Sequence, residues 1–516
     1  MTLDAVGLEV MGHAFASVAE EMGLVLIHSA VSPNIRERRD CSAALFDSAG
    51  EMIAQAAHIP VHLGALHESV AVVRALAPAP GDVFILNDPY AGGSHLPDIT
   101  LVGAVEVDGE VGGYGVVRAH HSDVGGMQAG SMPAGARDIF AEGVVVPPLR
   151  LTPEVERFLL ANVRTPEARR ADLAAQRAAV ERGADGLRAL AARHGWAVLR
   201  EAARDLQAYA ERRAREALGR LEATGLTATD WLEGDGVDDT DLAIQVRVDI
   251  QDGVFHVDFT GTAPAARGNV NCPLAVARSA VLFVVRTLLP GDVPTNGGVT
   301  RVVRVTAPEG CIVHARFPSA VAAGNVETSQ RIADTVFLAL ARGGVSVPAQ
   351  GQGTMNNVTF GGTGDGGRGT GGWTYYETIG GGQGASHGAD GPSGVHVGMS
   401  NTRNTPIEVL EMEYPLRLRS YGLRRGSGGA GRWSGGEGVI REFEALAAMD
   451  ASLLADRRRH APCGVGGGGA GAPGRTLVNG TPLPPKVSTP LAAGDVVRVE
   501  TPGGGGWGQP EPGGQR

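Results

Sequence analysis

Two short segments in the first third of the chain concentrate groups that bind metals or carry protons. NDPYAGGSHLPDIT (87–100) presents His95 and Asp98 three residues apart, and RAHHSDVGG (118–126) presents His120, His121 and Asp123. Upstream, RERRDCSAALFD places Asp40 directly before a strand-like run. A metal site needs nitrogen and oxygen donors converging from loops, and mixed imidazole and carboxylate suits Mn, Fe or Zn better than Ca or Mg. Pro97, between His95 and Asp98, argues against a regular helix, so that pair belongs in a constrained loop. If GYGVVRAHH is a strand, successive side chains point to opposite faces, and only one of His120 and His121 joins a given site. That argument leaves both open. Taken singly, an HxxD pair or an HH pair at a strand end is more often structural. It is their closeness, beside Asp88 and Gly-Gly turns, that points to a metal.

Other patterns are weaker. Gly384-Ala-Ser386-His387-Gly388 matches the GxSxG nucleophile elbow, which requires a strand before it and a helix after it, whereas ADGPSGVHVG follows. Gly362-Thr-Gly364-Asp-Gly-Gly367 matches GxGxxG, but RGTGGWTYYETI follows in place of a helix, so a dinucleotide site is rejected. Only one of 45 basic residues, Lys486, is lysine. No GK pair occurs, which excludes a P-loop, and a Schiff-base lysine would have to be Lys486 in a loop-like stretch. The net charge of −11 with 5% aromatic residues argues against a general nucleic-acid binder. Cys41, Cys272, Cys311 and Cys463 form no CxxC, so neither a zinc ribbon nor a disulfide framework is indicated. With no basic n-region and no stretch approaching 18 apolar residues, the chain reads as soluble and cytoplasmic, without a membrane span.

The elements that must position these groups follow from the pattern. At 516 residues the chain is long enough for several domains and a large core. Residues 1–150 open with an apolar helix ending near Ser32-Pro33, then alternate short strands with turns around one helix, HLGALHESVAVVRAL. Residues 151–225 are rich in Ala, Arg, Glu and Leu at helical spacing and predict a helical hairpin segment. Residues 226–345 return to alternating strands with helices near Ala275–Leu289 and 327–342. Residues 346–516 are glycine-rich: 42 of the 77 glycines follow residue 350. WTYYETI and EVLEMEYPLRLRSYGL are too apolar for a disordered tail, so this third is read as irregular strands and tight loops. The runs GVGGGGAGAPG and TPGGGGWG remain its candidates for mobile segments. The fold class is α+β, multi-domain, with a helical insertion and a mainly β, Gly-rich C-terminal third.

Five segments carry a more specific signal: NDPYAGGSHLPDIT, RAHHSDVGGMQAGSMP, AGNVETSQRIAD, GQGTMNNVTFGG, and DGPSGVHVGMSNTRNTPIEVLEMEYPLRLRSYGLRRGSGGAGRWSGGEG. They resemble the hydantoinase B/oxoprolinase family from near residue 5 to GWG at 506–508. The resemblance implies one part of an ATP-dependent enzyme of the hydantoinase, 5-oxoprolinase, caprolactamase or acetone and acetophenone carboxylase type. In the amide-opening members, a hydantoinase A-like partner handles ATP and Mg and phosphorylates the substrate's carbonyl oxygen. The B-like part completes the reaction at a divalent metal, Mn, Zn or Fe. Carried over, the metal ligands are Asp40, His95, Asp98 and His120, and the choice of His120 over His121 rests on the resemblance. Water activated by the metal would attack the phosphorylated amide carbon. A base or proton shuttle is then needed, and His121 or Asp123 are within reach by sequence, the bland alternative being orientation of His120. A cyclic amide offers one donor and one acceptor, which Asn can match, so Asn325, Glu327, Asn356 and Asn357 are the substrate-binding candidates, although Asn pairs in glycine-rich loops are more often turn formers. The expected assembly is a hetero-oligomer, and the expected activity is cyclic-amide hydrolysis. The alternative is the equivalent subunit of a ketone carboxylase, and a non-catalytic scaffold is disfavoured by the intact ligand set.

Overall fold

Six antiparallel strands form the N-terminal sheet, in the spatial order Met52–Ala57, Cys41–Asp47, Glu110–His120, Asp98–Val107, Val83–Leu86, Leu149–Arg150. The structure is a computed structural model that describes residues 4–62, 64–362 and 372–510. Both faces of this sheet are covered, so its central strands are mostly apolar and the period of two sorts residues between two cores. Cys41, Ala43, Leu45, Ile99, Leu101, Val117 and Ala119 face helices Ala5–Ser29 and Pro166–His194. Ala44, Phe46, Val102, Ala104, Tyr114 and Val116 face helix Ala65–Ala75. Helices Ala5–Ser29 and Pro166–His194 approach each other closely because Gly183 and Gly186 lie against Met22 and Val18, leaving no room for a side chain.

Helix Trp196–Gly219 follows after Gly195, whose φ of 86° turns the chain. A hairpin was expected here, but its two long helices pack more on other elements than on each other. The reason is a split apolar stripe. Leu199, Ala202, Ala203 and Leu206 join the N-terminal core, whereas Ala210, Ala214 and Leu218 join the next one. That next core lies under a four-stranded sheet, ordered Val303–Thr306, Val254–Asp258, Asp241–Gln251, Ala223–Glu233, and helices Leu274–Leu288 and Ser329–Arg342. Only its first pair is parallel. A π-helical turn, Gly324–Thr328, runs directly into helix Ser329–Arg342.

The last third is a two-sheet β unit. One sheet orders Trp373–Glu377, Asn357–Gly362, Met449–Leu454 and Lys486–Leu491; the other orders Leu416–Arg424, Gly438–Ala445, Val496–Glu500, Arg475–Val478 and Thr481–Pro482. Val358, Phe360 and Tyr375 from the first sheet share a core with Leu416, Phe443 and Val499 from the second. The run TPGGGGWG, expected to be mobile, is instead buried from Thr501 to Gly506. Its amides bond to Ala472, Gly436, Gln350 and Gly469, and a side chain on Gly503, Gly504, Gly505 or Gly506 would strike the carbonyls of Ser427, Gln383, Cys463 or Ala430. Glycine is needed there for backbone-on-backbone packing. Ser386 forms an isolated bridge to Ala389, with no helix after it, so the nucleophile elbow is absent. The GxGxxG match falls largely outside the described residues. All four cysteines are free. One element departs from the membrane reading: Ala5–Ser29 is long and apolar enough to cross a membrane, with mean hydropathy 1.4. The helix carries Glu20 and Glu21 and buries Phe15, Val18, Met22 and Leu26 against the core.

Candidate metal centre

Asp40, Asp98 and His120 meet at one corner of the N-terminal sheet because three neighbouring strands begin or end there. Asp98 and His120 are direct cross-strand partners. Asp40 precedes strand Cys41–Asp47, and its carbonyl accepts the His120 N–H at 3.0 Å. The alternation that sends Val116 toward helix Ala65–Ala75 carries His120 to the same face, whereas His121 follows Ala119 to the other side.

His95 arrives from the loop before Asp98. Its Nδ1 lies 3.3 Å from the Ala322 carbonyl, and donating that proton leaves the Nε2 lone pair free. Nε2 is 3.3 Å from Asp98 Oδ1, and His120 Nδ1 is 3.5 Å from the same oxygen. The other oxygen, Oδ2, is occupied by Ser94 Oγ at 2.6 Å, Asn325 Nδ2 at 3.3 Å and His62 Nε2 at 3.4 Å. Asp98 is therefore held with one oxygen tied to protein and one turned to the two histidines. Ligating atoms of His95, Asp98 and His120 lie within 4.8 Å of one another. His95 Nε2, Asp98 Oδ1 and His120 Nε2 are all buried without a hydrogen-bond partner. Orphaned polar atoms in a dry interior are costly, and a divalent cation would satisfy this set.

Electrostatics favour an ionised Asp98 and a neutral His120. Burial pushes the Asp98 carboxyl up, but the His95 and His62 imidazoles outweigh it and hold the group well below the usual carboxylate range. Burial lowers His120, against the opposing pull of Asp98 and Asp40, and so favours neutral imidazole. Asp40, His62, Asn325 and Tyr376 line the same cavity as Asp98 and His120; at about 20 Å³ it has room for an ion or one water. A ring-sized substrate requires the walls to part.

The structure adds two residues that the sequence reading missed. His62 lies in the 3-10 turn Pro60–His62, with Nδ1 3.0 Å from Ser42 Oγ. Tyr376 stacks on His120 with ring centroids 4.5 Å apart and an interplanar angle of 11°. Its hydroxyl donates to Asn357 Oδ1 at 2.8 Å, and Asn357 Nδ2 donates to Glu327 Oε1 at 2.8 Å. Asn357 and Glu327 thus stand behind Tyr376, and burial, helped by Asp456, pushes Glu327 up to about 8. Of the four substrate candidates only Asn325 is on the cavity wall. Asn356, at a φ of 48°, bonds Gln352 and Arg458.

His121 and Asp123 do not reach this cavity. His121 Nε2 lies 2.9 Å from Gln176 Oε1 on the long helix, and Gln176 in turn donates to the Ile99 carbonyl. Asp123 accepts from the amides of Gly125, Gly130 and Arg164 and pairs with the Arg164 guanidinium at 2.9 Å. A far larger cleft of about 1340 Å³ lies elsewhere, beside strand Val303–Thr306. Most of its arginines are neutralised by neighbouring acids, as in Arg278–Glu68, Arg215–Glu211 and Arg247–Asp249. Among the described residues, it lacks the converging donors of the buried corner.

Comparison with known proteins agrees with the sequence resemblance. Residues 4–510 match the family model described as hydantoinase B/oxoprolinase. An uncharacterized protein of Methanocaldococcus jannaschii is 39% identical over 98% of this chain and 91% of its own length. 5-Oxoprolinase 1 of Arabidopsis thaliana is 35% identical over 98% of this chain but only 42% of its own. The chain thus spans about two fifths of the 5-oxoprolinases it matches. Among solved structures, the ATP-dependent caprolactamase from Pseudomonas jessenii superposes with a TM-score of 0.89 at 27% identity, covering 99% of this chain and 92% of that one. Nucleotide-free acetone carboxylase shares the fold, with a TM-score of 0.85 at 16% identity over 98% of this chain and 75% of that one.

Proposed function

Because this chain belongs to the hydantoinase B/oxoprolinase family, we propose that it is the metal-dependent subunit of an ATP-dependent enzyme that opens cyclic amides. It works with a hydantoinase A-like partner that binds ATP and Mg and delivers the activated substrate. The carrying observation is the convergence of His95, Asp98 and His120 with unshared, buried ligand atoms, next to Asp40. Two imidazoles and two carboxylates suit Mn, Zn or Fe. A cation held there supplies Lewis acidity toward an oxygen brought into the cavity.

The chain's own residues do the rest. Ser94, Asn325 and His62 fix Asp98 through Oδ2, and Tyr376 fixes the plane of the His120 ring. Asn325 keeps an unpartnered, buried Oδ1, which can accept an amide N–H of the ring.

The test is co-expression with a hydantoinase A-like chain, then assay of ADP release with 5-oxoproline, hydantoins, lactams and ketones, with and without bicarbonate. Ring-opened acid formed in step with ADP is expected. Bicarbonate-dependent turnover of a ketone without amide opening would replace this reading by the carboxylase one.

A further inference from the structure

Six arginines are among the largest fully buried side chains of the described residues. Four are neutralised by ion pairs: Arg169 with Asp172, Arg331 with Asp230 and Asp456, Arg441 with Glu377, and Arg457 with Asp230 and Asp334. The other two, Arg38 and Arg118, have only neutral hydrogen-bond partners, and both lie beside the candidate metal centre. Arg118 is two residues before His120 and bonds Thr100, Ser69 and the Gly92 carbonyl. Arg38 is two residues before Asp40. Its Nη1 donates to the Tyr376 carbonyl at 2.7 Å, and its Nη2 donates to Thr378 Oγ1 at 2.7 Å and Thr402 Oγ1 at 3.3 Å. Its Nε is buried without a partner.

Tyr376, Thr378, Ser400 and Thr402 line the cavity together with Asp98 and His120. The Thr378 and Thr402 hydroxyls, 2.7 Å apart, both accept from the Arg38 guanidinium. Accepting from a cation polarises a hydroxyl and makes it a stronger donor; either hydroxyl can donate within the pair, and with Thr402 donating to Thr378 the Thr378 proton is left to turn elsewhere. Thr402 also faces His396 Nε2, and His396 Nδ1 faces Ser400 Oγ, which extends the polar wall. The charge count points the same way. The two carboxylates, Asp40 and Asp98, already balance Arg38 and Arg118, so a divalent cation leaves a buried surplus of positive charge. Buried charge is costly unless paired.

We propose that Thr378 and Thr402, backed by Arg38, form an oxyanion subsite in the wall of the cavity that Asp98 and His120 also line, which takes an oxygen of a carboxylate or phosphoryl group on the substrate. This deepens the metal-centre reading and rests on it for the charge surplus. At about 20 Å³ the cavity holds an ion or one water, so an oxygen of such a group joins a bound cation only as the walls part. Arg38 acts through the two threonines, as a positioning residue.

The test is calorimetric titration of sodium phosphate, acetate and bicarbonate into the full chain, both zinc-loaded and metal-free, for wild type, Thr402→Val and Arg38→Met. Metal content and melting are measured in parallel. Wild type should bind at least one anion, more tightly when loaded. Both variants should weaken that binding about ten- to a hundredfold, the loss of a charge-assisted hydrogen bond, while zinc content stays unchanged. A preference for phosphate assigns the oxygen to a phosphoryl group, for acetate to a substrate carboxylate, and for bicarbonate to the carboxylase chemistry. If Arg38→Met no longer melts cooperatively, Thr402→Val decides. Absence of anion binding in wild type, or binding unchanged in the variants, overturns the subsite even where zinc binds. Absence of zinc overturns the metal reading separately, and the metal-free titration then decides the subsite alone.

Discussion

At the scale of single residues, the adjacent histidines separate two roles that composition cannot. His120 lies on the cavity with Asp98, whereas His121 is committed to Gln176 behind the sheet. His120→Ala and Asp98→Ala should abolish metal binding by elemental analysis. His121→Ala should keep the metal but cost about 1–3 kcal/mol in denaturant unfolding, because it leaves Gln176 Oε1 buried without its partner. Equal metal loss in all three would remove the distinction. Glu142 gives a pH dependence. It accepts the Val321 and Ala322 amides, and so supports the carbonyl that orients His95. Burial, the largest influence, pushes it up to about 8 against the lowering pull of those amides. The folded state keeps a proton that the unfolded chain releases at about 4.5, so this group's contribution to stability is present below that value and is lost as pH rises toward about 8. Melting temperatures of Glu142→Gln across this range should fall less steeply than those of wild type, and identical slopes would exclude the effect.

At the scale of elements, the site is made by strand ends brought into register and by a helix pressed onto the sheet behind them. Strand alternation was readable from GYGVVRAHH, and it decided that only one histidine of the pair could join the site. Which one depended on which face each helix covers, a long-range fact. Helix Pro166–His194 supplies Gln176, Arg169 and Asp172 behind that face, and its closeness to Ala5–Ser29 depends on Gly183. Gly183→Val should displace Met22 and lower stability by about 1–3 kcal/mol, seen as a drop in melting temperature with metal content retained. His62 was invisible in sequence because HLGALHES reads as the start of an amphipathic helix, and the 3-10 turn just before that helix is what aims the ring at Asp98. Tyr376 was likewise hidden within WTYYE, where Tyr375 serves the β core and its neighbour serves the site.

At the scale of the whole molecule, the C-terminal third closes the candidate metal corner that the first third builds. Tyr376, Thr378 and Thr402 reach Arg38 across more than 300 residues of sequence. The C-terminal third is also joined to the middle unit by a buried charge network in which Arg457 bonds Asp230 and Asp334. Arg457→Met should leave buried Asp334 without its cationic partner, while Asp230 keeps Arg331, and cost about 3–5 kcal/mol, measured by calorimetry. An unchanged transition would show that the network is dispensable. Residue types and local spacing were enough to specify the strands, the principal helices, the family and three converging candidate residues, His95, Asp98 and His120, because alternation, helical periodicity and the HLPD and HH segments are properties of neighbouring residues. Only the tertiary structure decided that glycines 503–506 are packed backbone and that His121 and Asp123 belong to the scaffold. It also brought His62, Tyr376 and Arg38 to the site. Each of these depends on which surfaces press together, a property of contacts between residues far apart in the chain.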